Sequence, residues 1–336
     1  MSTSKEMGLK AHMRAHGIWI WIILALLVAI VFPQLGLGNY YTRVAVIIMV
    51  YAVLGLGLNF VTGLAGMISM GHAAFFAVGA YIGAILTKNY GWNFFAAAPM
   101  AAIGAGLCGL LLGLPTMRLS GAYLVMVTSG FAEVVKMVTI NWRSVTNGAL
   151  GIKNVPSPVI FGYELSISNG GMYYLALVIL LLCVFVFYAV KYSKMGRALR
   201  AISDDELAAV MMGVDTNYYK ILAFVIGAMM AGLIGAFYIG MQNYVDPYTF
   251  SADMSTVILC VVLVGGRGSI GGMIISAAIL MIFPEVLRFM ADYRFVVYGA
   301  ILIFMMRFKP DGMFGGRSSK PYKLPKGVNL SNVRGK

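Results

Sequence analysis

Long stretches without charged side chains are the feature that most limits the folds open to this chain. No residue that is charged at neutral pH lies between Arg43 and Lys88, and none lies between Glu164 and Lys191. A helix needs about 20 consecutive apolar residues to cross a bilayer, so the first stretch has room for two passes and the second for one. With 60% hydrophobic and 11% charged residues, the chain is expected to be an all-α polytopic membrane protein.

Apolar runs predict about ten transmembrane passes in one membrane domain. The last three runs are short enough to fit partial or re-entrant helices, so we expect eight to ten full spans. The predicted organisation is a tail at 1–16, a membrane domain at 17–307 and a second tail at 308–336. The predicted passes lie at 17–34, 44–61, 64–87, 94–114, 120–140, 172–190, 221–241, 254–265, 272–288 and 294–307.

The distribution of basic residues indicates the orientation. With the N-terminus in the cytoplasm, 18 of the 25 Lys and Arg residues fall in cytoplasmic segments, as the positive-inside rule requires. The sequence therefore predicts that both termini and the loop at 191–220 are cytoplasmic, with Arg43, Arg288 and Arg294 as discordant residues. Because the charges flank membrane segments, the net charge of +13 does not indicate nucleic-acid binding.

Motifs for catalysis and for ATP binding are absent from the sequence. No Gly-x-x-x-x-Gly-Lys-Ser/Thr phosphate loop occurs, so any ATP that drives this chain is expected on partner subunits. HExxH, paired CxxC and nucleophile-elbow motifs are also missing. The three cysteines lie in apolar runs and indicate neither a disulfide framework nor a metal site. We expect a transport subunit with no catalytic residue, metal or cofactor of its own.

Two glycine-rich apolar segments stand in corresponding positions of the two halves, from Gly63 to Gly79 and from Gly265 to Gly272. Glycine in a membrane permits close helix contacts or a broken helix, and paired interruptions indicate a transport path. Tight packing or a turn at each segment is the alternative. The predicted translocation-pathway residues are Gly66, Ser69, Gly71, His72, Gly79, Glu133, Gly265, Gly266, Gly268 and Ser269.

Two polar residues in apolar runs have competing interpretations. His72 could titrate or bind a ligand near neutral pH, or it could be a neutral histidine bonded to nearby backbone. Glu133 is a functional candidate because it is an intramembrane carboxylate. Lys136 follows three residues later on the same helix face, and a local ion pair is the other interpretation.

The loop at 191–220 contains a predicted short helix. Ser203 and Glu206 have the spacing of a capping box, and Asp204 and Asp205 suit the positive end of a helix dipole. Gly213 provides a stop signal. The helix would have about nine residues and a length of about 13 Å, far too short to cross a bilayer. Its small apolar face needs a partner surface, on this chain or on another protein.

Four motifs, in order along the chain, resemble those of branched-chain amino acid ABC transporter permeases of the LivM type. The resemblance covers roughly residues 40–315, and Arg267 departs from the uncharged residue expected in the last motif. The motifs are Gly55-Leu-Gly57-Leu-Asn59 with the stretch from Gly63 to Tyr81, Arg118-Leu-Ser-Gly121-Ala-Tyr123 running to Glu133, Gly196-Arg-Ala-Leu-Arg200 through Glu206-Leu-Ala-Ala to Met212-Gly213, and Gly265-Gly266-Arg-Gly268-Ser269-Ile-Gly271-Gly272.

This resemblance implies the permease subunit of an ABC importer in a bacterial inner membrane, with branched-chain amino acids as the expected solute. It also implies a homologous second permease subunit, two ATPase subunits that bind the ATP, and an extracytoplasmic solute-binding protein. A urea or short-amide permease and an ion-driven secondary transporter stay open as alternatives. The ATPase-coupling residues it implies are Gly196, Arg197, Arg200, Ser203, Asp204, Asp205, Glu206, Ala208, Ala209, Met212 and Gly213.

Overall fold

The computed structural model describes residues 31–35, 38–160, 162–286, 294–309 and 312–315. The predicted N-terminal tail, most of the predicted pass at 17–34 and most of the C-terminal tail lie outside these residues. The helices are α1 (Asn39–Asn59), α2 (His72–Lys88), α3 (Phe94–Thr116), α4 (Ala122–Asn141), α5 (Gly171–Tyr192), α6 (Lys194–Asp204), α7 (Glu206–Met211), α8 (Thr216–Gln242), α9 (Ala252–Gly265), α10 (Ile270–Val286) and α11 (Arg294–Phe308).

Short elements join these helices. A one-turn helix at Arg143–Thr146 follows α4, and 3-10 turns lie at Phe32–Leu35, Gly148–Leu150 and Pro247–Thr249. Strand β1 (Ile152–Lys153) pairs antiparallel with β4 (Tyr244–Val245), and β2 (Val159–Ile160) pairs antiparallel with β3 (Tyr163–Glu164). The β1–β4 pair ties the connection between α4 and α5 to the end of α8.

The all-α class is confirmed, and helices occupy nine of the ten predicted passes. Among the described residues, five helices are long and apolar enough to cross a bilayer: α1 with its extension to Leu64, α3, α4, α5 and α8. By contrast, α2 has 17 residues and α9 has 14. At 1.5 Å per residue these helices are about 26 Å and 21 Å long, short of the roughly 30 Å hydrocarbon core.

The predicted pass at 64–87 is wrong in its first part, because the chain there is broken rather than helical. α1 continues into a π-helical turn, Phe60–Leu64, and α2 begins only at His72. Between them Gly66 adopts φ +75°, a left-handed conformation that favours glycine. We name residues 65–71 the break segment.

α1 and α8 form the centre of the fold. α1 packs against α5, α8, α9 and α10, whereas α8 packs mainly against α2 and α3. A Cβ on Gly79 of α2 would overlap the backbone of Gly232 of α8, and a Cβ on Gly57 of α1 would lie 2.9 Å from the carbonyl oxygen of Gly227. Small residues let membrane helices approach this closely. Gly79 therefore lies in a helix contact.

The segment between α8 and α9 packs against α2. The ring of Phe250 lies 5.3 Å from the ring of Phe76 and 6.2 Å from that of Tyr81, both on α2. Ser255, in the first turn of α9, accepts a hydrogen bond from the backbone N–H of Ala73 in the first turn of α2. The two short helices therefore begin at the same depth, as discontinuous helices do in many transporters.

Candidate coupling and translocation site

Hydroxyl groups satisfy the backbone of the break segment. The N–H of Met70 donates to Thr128 Oγ1 of α4 at 3.0 Å, and the N–H of Gly71 donates to Ser69 Oγ at 3.3 Å. Just after the break, the N–H of Ala73 donates to Ser255 Oγ at 3.2 Å. Non-helical backbone is tolerated at membrane depth only where protein or water supplies such partners. These hydrogen bonds therefore stabilise the break between α1 and α2.

The break segment touches the loop at 191–220, which contains the predicted ATPase-coupling residues and which we call the coupling loop. Gly66 lies directly against Ser203 at the end of α6, so closely that a Cβ on Gly66 would overlap the Ser203 hydroxyl. Two features that the sequence analysis singled out separately, the glycine-rich segment from Gly63 and the loop at 191–220, are therefore in contact.

The second glycine segment is the turn between α9 and α10. Gly265 and Gly272 face each other with their backbones in contact, and Gly266 and Gly268 both have positive φ. The Ser269 hydroxyl accepts a hydrogen bond from the N–H of Gly272 at 3.1 Å, capping the start of α10. The turn is tight because Gly265 and Gly272 have no room for a side chain, while Gly266 and Gly268 adopt the left-handed conformation that favours glycine.

Both backbone polar groups of Gly268 are hydrogen-bonded to side chains of other helices. Its N–H donates to Asn59 Oδ1 at 2.9 Å, and its carbonyl oxygen accepts from Lys191 Nζ, at the end of α5, at 2.6 Å. Leu64, directly before the break segment, packs against Gly268 as well. The two glycine segments that the sequence analysis paired are therefore adjacent in space, and Asn59 joins them.

His72 is buried at the first residue of α2, beside the close contact of Gly57 with Gly227. Its Nε2 atom makes no hydrogen bond to any residue that the structure describes. The neutral interpretation of His72 suggested a hydrogen bond to neighbouring backbone. The Nε2 atom does not form one with the described residues.

Glu133 and Lys136 form the local ion pair that their spacing allows, with Nζ and Oε2 3.4 Å apart. The Glu133 side chain is 43% exposed and the Lys136 side chain 20%. They lie on α4, of which only 22% is buried inside the chain, the lowest share among the five long helices. The pair is therefore partly exposed on a helix that is long and apolar enough to cross a membrane.

The predicted capping box at Ser203 is wrong. Ser203 lies in the last turn of α6, a helix that starts ten residues before the predicted one. Asp205 caps the next helix instead, since its Oδ1 accepts from the N–H of Ala208 at 3.0 Å. That helix, α7, has six residues, and Gly213 follows it with φ +81°, the left-handed stop that was expected.

Contacts within the loop hold α6 and α7 to the membrane domain. Arg200 donates from Nε to the carbonyl of Gly196 and from Nη2 to that of Lys191, and Arg197 donates to that of Tyr192. The carboxylate of Glu206 forms an ion pair with the buried ammonium of Lys220 at the start of α8. The loop is therefore firmly attached to the ends of α5 and α8.

The apolar face of α7 points away from the chain. Leu207, Met211 and Met212 are 75%, 83% and 84% exposed. Ala208 is exposed too, whereas Ala209 is buried against the rest of the chain. The loop thus presents large apolar side chains that have no partner among the described residues.

The chain matches the family described as "Branched-chain amino acid transport system / permease component" over residues 40–306. That range covers most of the sequence. The chain belongs to this family. As a permease component it is a transport subunit, and its matched region includes the break segment, the coupling loop and the turn between α9 and α10.

Relatives of this permease include transport proteins of two kinds. It is 33% identical to the high-affinity branched-chain amino acid transport system permease protein LivM of Salmonella typhimurium, over 88% of this chain and 74% of LivM. It is 27% identical to the permease protein LivH of Escherichia coli, over 79% of this chain and 91% of LivH. Among solved structures, PsaBC from Streptococcus pneumoniae in complex with Fab matches at a TM-score of 0.45 and 16% identity, covering 85% of this permease and 98% of that chain.

Several residues of the site were not among the predicted coupling and pathway residues, although Asn59 stood in a quoted motif. Asn59, Thr128, Lys191, Lys220 and Ser255 all make the contacts that fix the break, the turn or the loop. Asn59 offered a usable signal, since it is a lone amide in a long apolar run. Thr128 and Ser255 offered none, because single hydroxyls are common in membrane helices.

We expect Asn59→Ala to impair transport while the permease still inserts. Its Oδ1 holds the N–H of Gly268, and loss of one partner of a buried hydrogen bond costs about 1–3 kcal/mol. The two glycine segments should then separate more easily. Thr62→Val is the matched control, because Thr62 lies one turn further on, is equally buried, and its hydroxyl has no partner among the described residues.

The measurements are solute uptake and thermal stability of the purified complex. Asn59→Ala should reduce uptake several-fold and lower the melting temperature, whereas Thr62→Val should change neither strongly. Equal behaviour of the two variants would show that the bond from Asn59 to Gly268 has no role in the site.

Proposed function

We propose that this chain is one of two homologous membrane subunits of an ABC importer that moves branched-chain amino acids into the cytoplasm. The family match over residues 40–306 carries this proposal. Similarity to both LivM and LivH supports a paired arrangement, because Escherichia coli has a protein of each name, both described as permeases of high-affinity branched-chain amino acid transport. The bacterial inner membrane is the corresponding location.

Energy for import would come from two ATPase subunits, and solute from an extracytoplasmic binding protein. The absence of a phosphate loop from the whole sequence supports separate ATPase chains. Exposed apolar side chains on a polar loop mark a protein contact, which fits the outward face of α7. The groove between α6 and the start of α8, lined by Arg197, Ala201, Asp215 and Tyr218, lies beside this face.

Motion of the ATPases would reach the solute path through two contacts. The first joins Ser203 to Gly66 in the break segment. The second is the ion pair of Glu206 with Lys220, whose Nζ also donates to the carbonyl of Met117 just after α3. A docked loop that shifts would thus move the ends of α3 and α8 together with the break between α1 and α2.

The solute path would run along the break segment, the turn between α9 and α10, and the outward face of α4. A charge at the centre of a bilayer costs about 2.5–3.5 kcal/mol even on the lower scales. The exposed pair of Glu133 and Lys136 is therefore better accommodated against a second permease subunit and water than against lipid. Gly66, Ser69, Gly71, His72, Gly265, Gly266, Gly268 and Ser269 are proposed to border this path, and Gly79 to support it by packing.

Both termini and the α6–α7 loop are proposed to be cytoplasmic, with eight to ten spans in all. Leu207→Cys in a background without Cys108, Cys183 and Cys260 tests this orientation, since Leu207 is exposed on α7. An impermeant thiol reagent should label it in inverted vesicles and not in intact cells. Labelling from outside intact cells would exclude the orientation.

Uptake by the complete reconstituted importer tests the substrate and the energy source. Proteoliposomes with ATP inside and loaded binding protein outside should accumulate radiolabelled leucine, isoleucine and valine. Omission of ATP should abolish accumulation, and excess urea should not compete. Uptake that follows an imposed ion gradient without ATP would establish a secondary transporter, and competition by urea would establish the short-amide alternative.

Ala208→Glu should uncouple the ATPases from transport. The side chain of Ala208 is exposed on α7, so a charge there alters the docking surface without disturbing the fold. We expect a tenfold or greater loss of solute-stimulated ATP hydrolysis and weak co-purification of the ATPases. Ala208→Ser is the matched control and should resemble the wild type. Ala209→Glu is unsuitable because Ala209 is buried.

Asp205→Ala should have a partial effect in the same assay. It removes the cap of α7, which costs about 1 kcal/mol, but leaves the exposed apolar face in place. If Ala208→Glu kept both ATPase binding and stimulated hydrolysis, α7 would not be the coupling element.

A further inference from the structure

A cavity of about 230 Å³ opens at the end of α8 that is farthest from the coupling loop. α8 has 27 residues, so the two sites are about 40 Å apart along the helix. Under the proposed orientation the cavity is on the outer side of the membrane. Its lining residues include Tyr238, Gln242, Tyr244, Asp246, Thr249 and Phe250.

One charged residue lines the cavity and a residue of opposite charge lies at its edge. Asp246 is in the lining, and Arg43 donates from Nη2 to Oε1 of the lining residue Gln242 at 2.6 Å. Among the residues that the structure describes, the ion pairs are Glu133–Lys136 and Glu206–Lys220, so neither Arg43 nor Asp246 has a counter-charge there. An anion and a cation left unpaired at one cavity complement a ligand that carries both charges.

Each charged group retains capacity for a ligand. The Asp246 carboxylate accepts from the N–H of Tyr248 and from the hydroxyl of Thr249, which uses about half of its four lone-pair positions. The Arg43 guanidinium gives one N–H to Gln242 and has others that can bind a carboxylate through two parallel hydrogen bonds. An ammonium group and a carboxylate group could therefore be bound together.

The remaining wall of the cavity is mainly aromatic, with Ile239 as its aliphatic member. Tyr238, Tyr244 and Phe250 supply it, and Phe250 is held in place by Phe76 and Tyr81. Small-ligand sites typically combine such walls with a few placed polar groups. The segment that carries Asp246 and Phe250 continues into the first turn of α9, which lies beside the break segment. The same stretch of chain thus lines the cavity and leads to the proposed solute path.

We propose that this cavity is a receiving site for a zwitterionic α-amino acid with an aliphatic side chain. Asp246 binds the α-ammonium group, Arg43 binds the α-carboxylate, and the aromatic wall contacts the side chain. This proposal rests on the proposed function and adds a binding step on the permease itself, between release from the binding protein and passage along the break segment.

The test is equilibrium binding of radiolabelled leucine to the purified complex of permeases and ATPases in nanodiscs, without binding protein. Wild type should bind leucine saturably. Neither 4-methylpentanoate, which lacks the ammonium group, nor 3-methylbutylamine, which lacks the carboxylate, should compete. Asp246→Asn and Arg43→Gln should each weaken leucine binding at least tenfold, while Arg43→Lys should retain part of it.

Asn at position 246 still caps the turn at Pro247–Thr249, so Asp246→Asn isolates the charge. Glu164→Gln is the matched control, because it removes a carboxylate from an exposed strand beyond the cavity and should leave binding unchanged. Equal leucine affinity of the wild type and both charge variants would overturn the receiving site. So would variants that bind leucine normally but lose affinity for the loaded binding protein, since the cavity would then be a docking surface.

A separate readout distinguishes failure of this proposal from failure of the proposed function. If the wild-type complex imports leucine with its binding protein but shows no saturable leucine binding alone, the receiving site is wrong and the importer stands. If it imports no branched-chain amino acid at all, the proposed function fails first.

Discussion

Backbone polar groups have to be paired inside a membrane, and the rest of this structure depends on how the break segment meets that requirement. An unpaired N–H or C=O in hydrocarbon costs several kcal/mol, so a chain cannot leave a helix at membrane depth without replacement partners. Here three hydroxyls, from Ser69, Thr128 and Ser255, supply them. They come from the break itself, from α4 and from α9, so the break holds three parts of the fold together.

The same requirement explains why polar contacts are concentrated in one region. The break segment contacts Ser203 of the coupling loop, and Leu64 contacts Gly268 of the turn between α9 and α10. Asn59 and Lys191 hold that turn through its backbone. Polar contacts of this kind can be exchanged for others, whereas the glycine contacts of α8 with α1 and α2 are fixed by backbone against backbone. The fold therefore combines a helical centre that packs backbone against backbone with one region, beside the loop, that is held by polar contacts.

The sequence predicted the fold class and the approximate positions of the nine apolar helices that the structure describes, because apolar runs are local features that membrane burial selects. It also singled out the two glycine segments that prove to be adjacent. It failed where distant contacts override local preference. Ser203 has the spacing of a capping box with Glu206, yet Ser203 packs on Gly66 and Glu206 pairs with Lys220. The exact start of α2 was equally hidden, since Gly63, Gly66 and Gly71 are all plausible breaks and Thr128 and Ser255 decide among them. Burial of Ala209 and exposure of Ala208 could not be separated without the position of α7.

Two features of the described surface fit the proposed assembly of this chain with partner subunits. The ion pair of Glu133 and Lys136 is partly exposed on the least buried of the five long helices, and large apolar side chains are exposed on the polar loop at α7. Each is the reverse of what its surroundings favour, since lipid disfavours the charges and water disfavours the apolar face. The proposed assembly, with a second permease subunit against α4 and an ATPase against α7, would remove both conflicts. Association with these partners would bury both surfaces in settings that suit them, so the stability of the assembly and its ability to transport have the same physical origin.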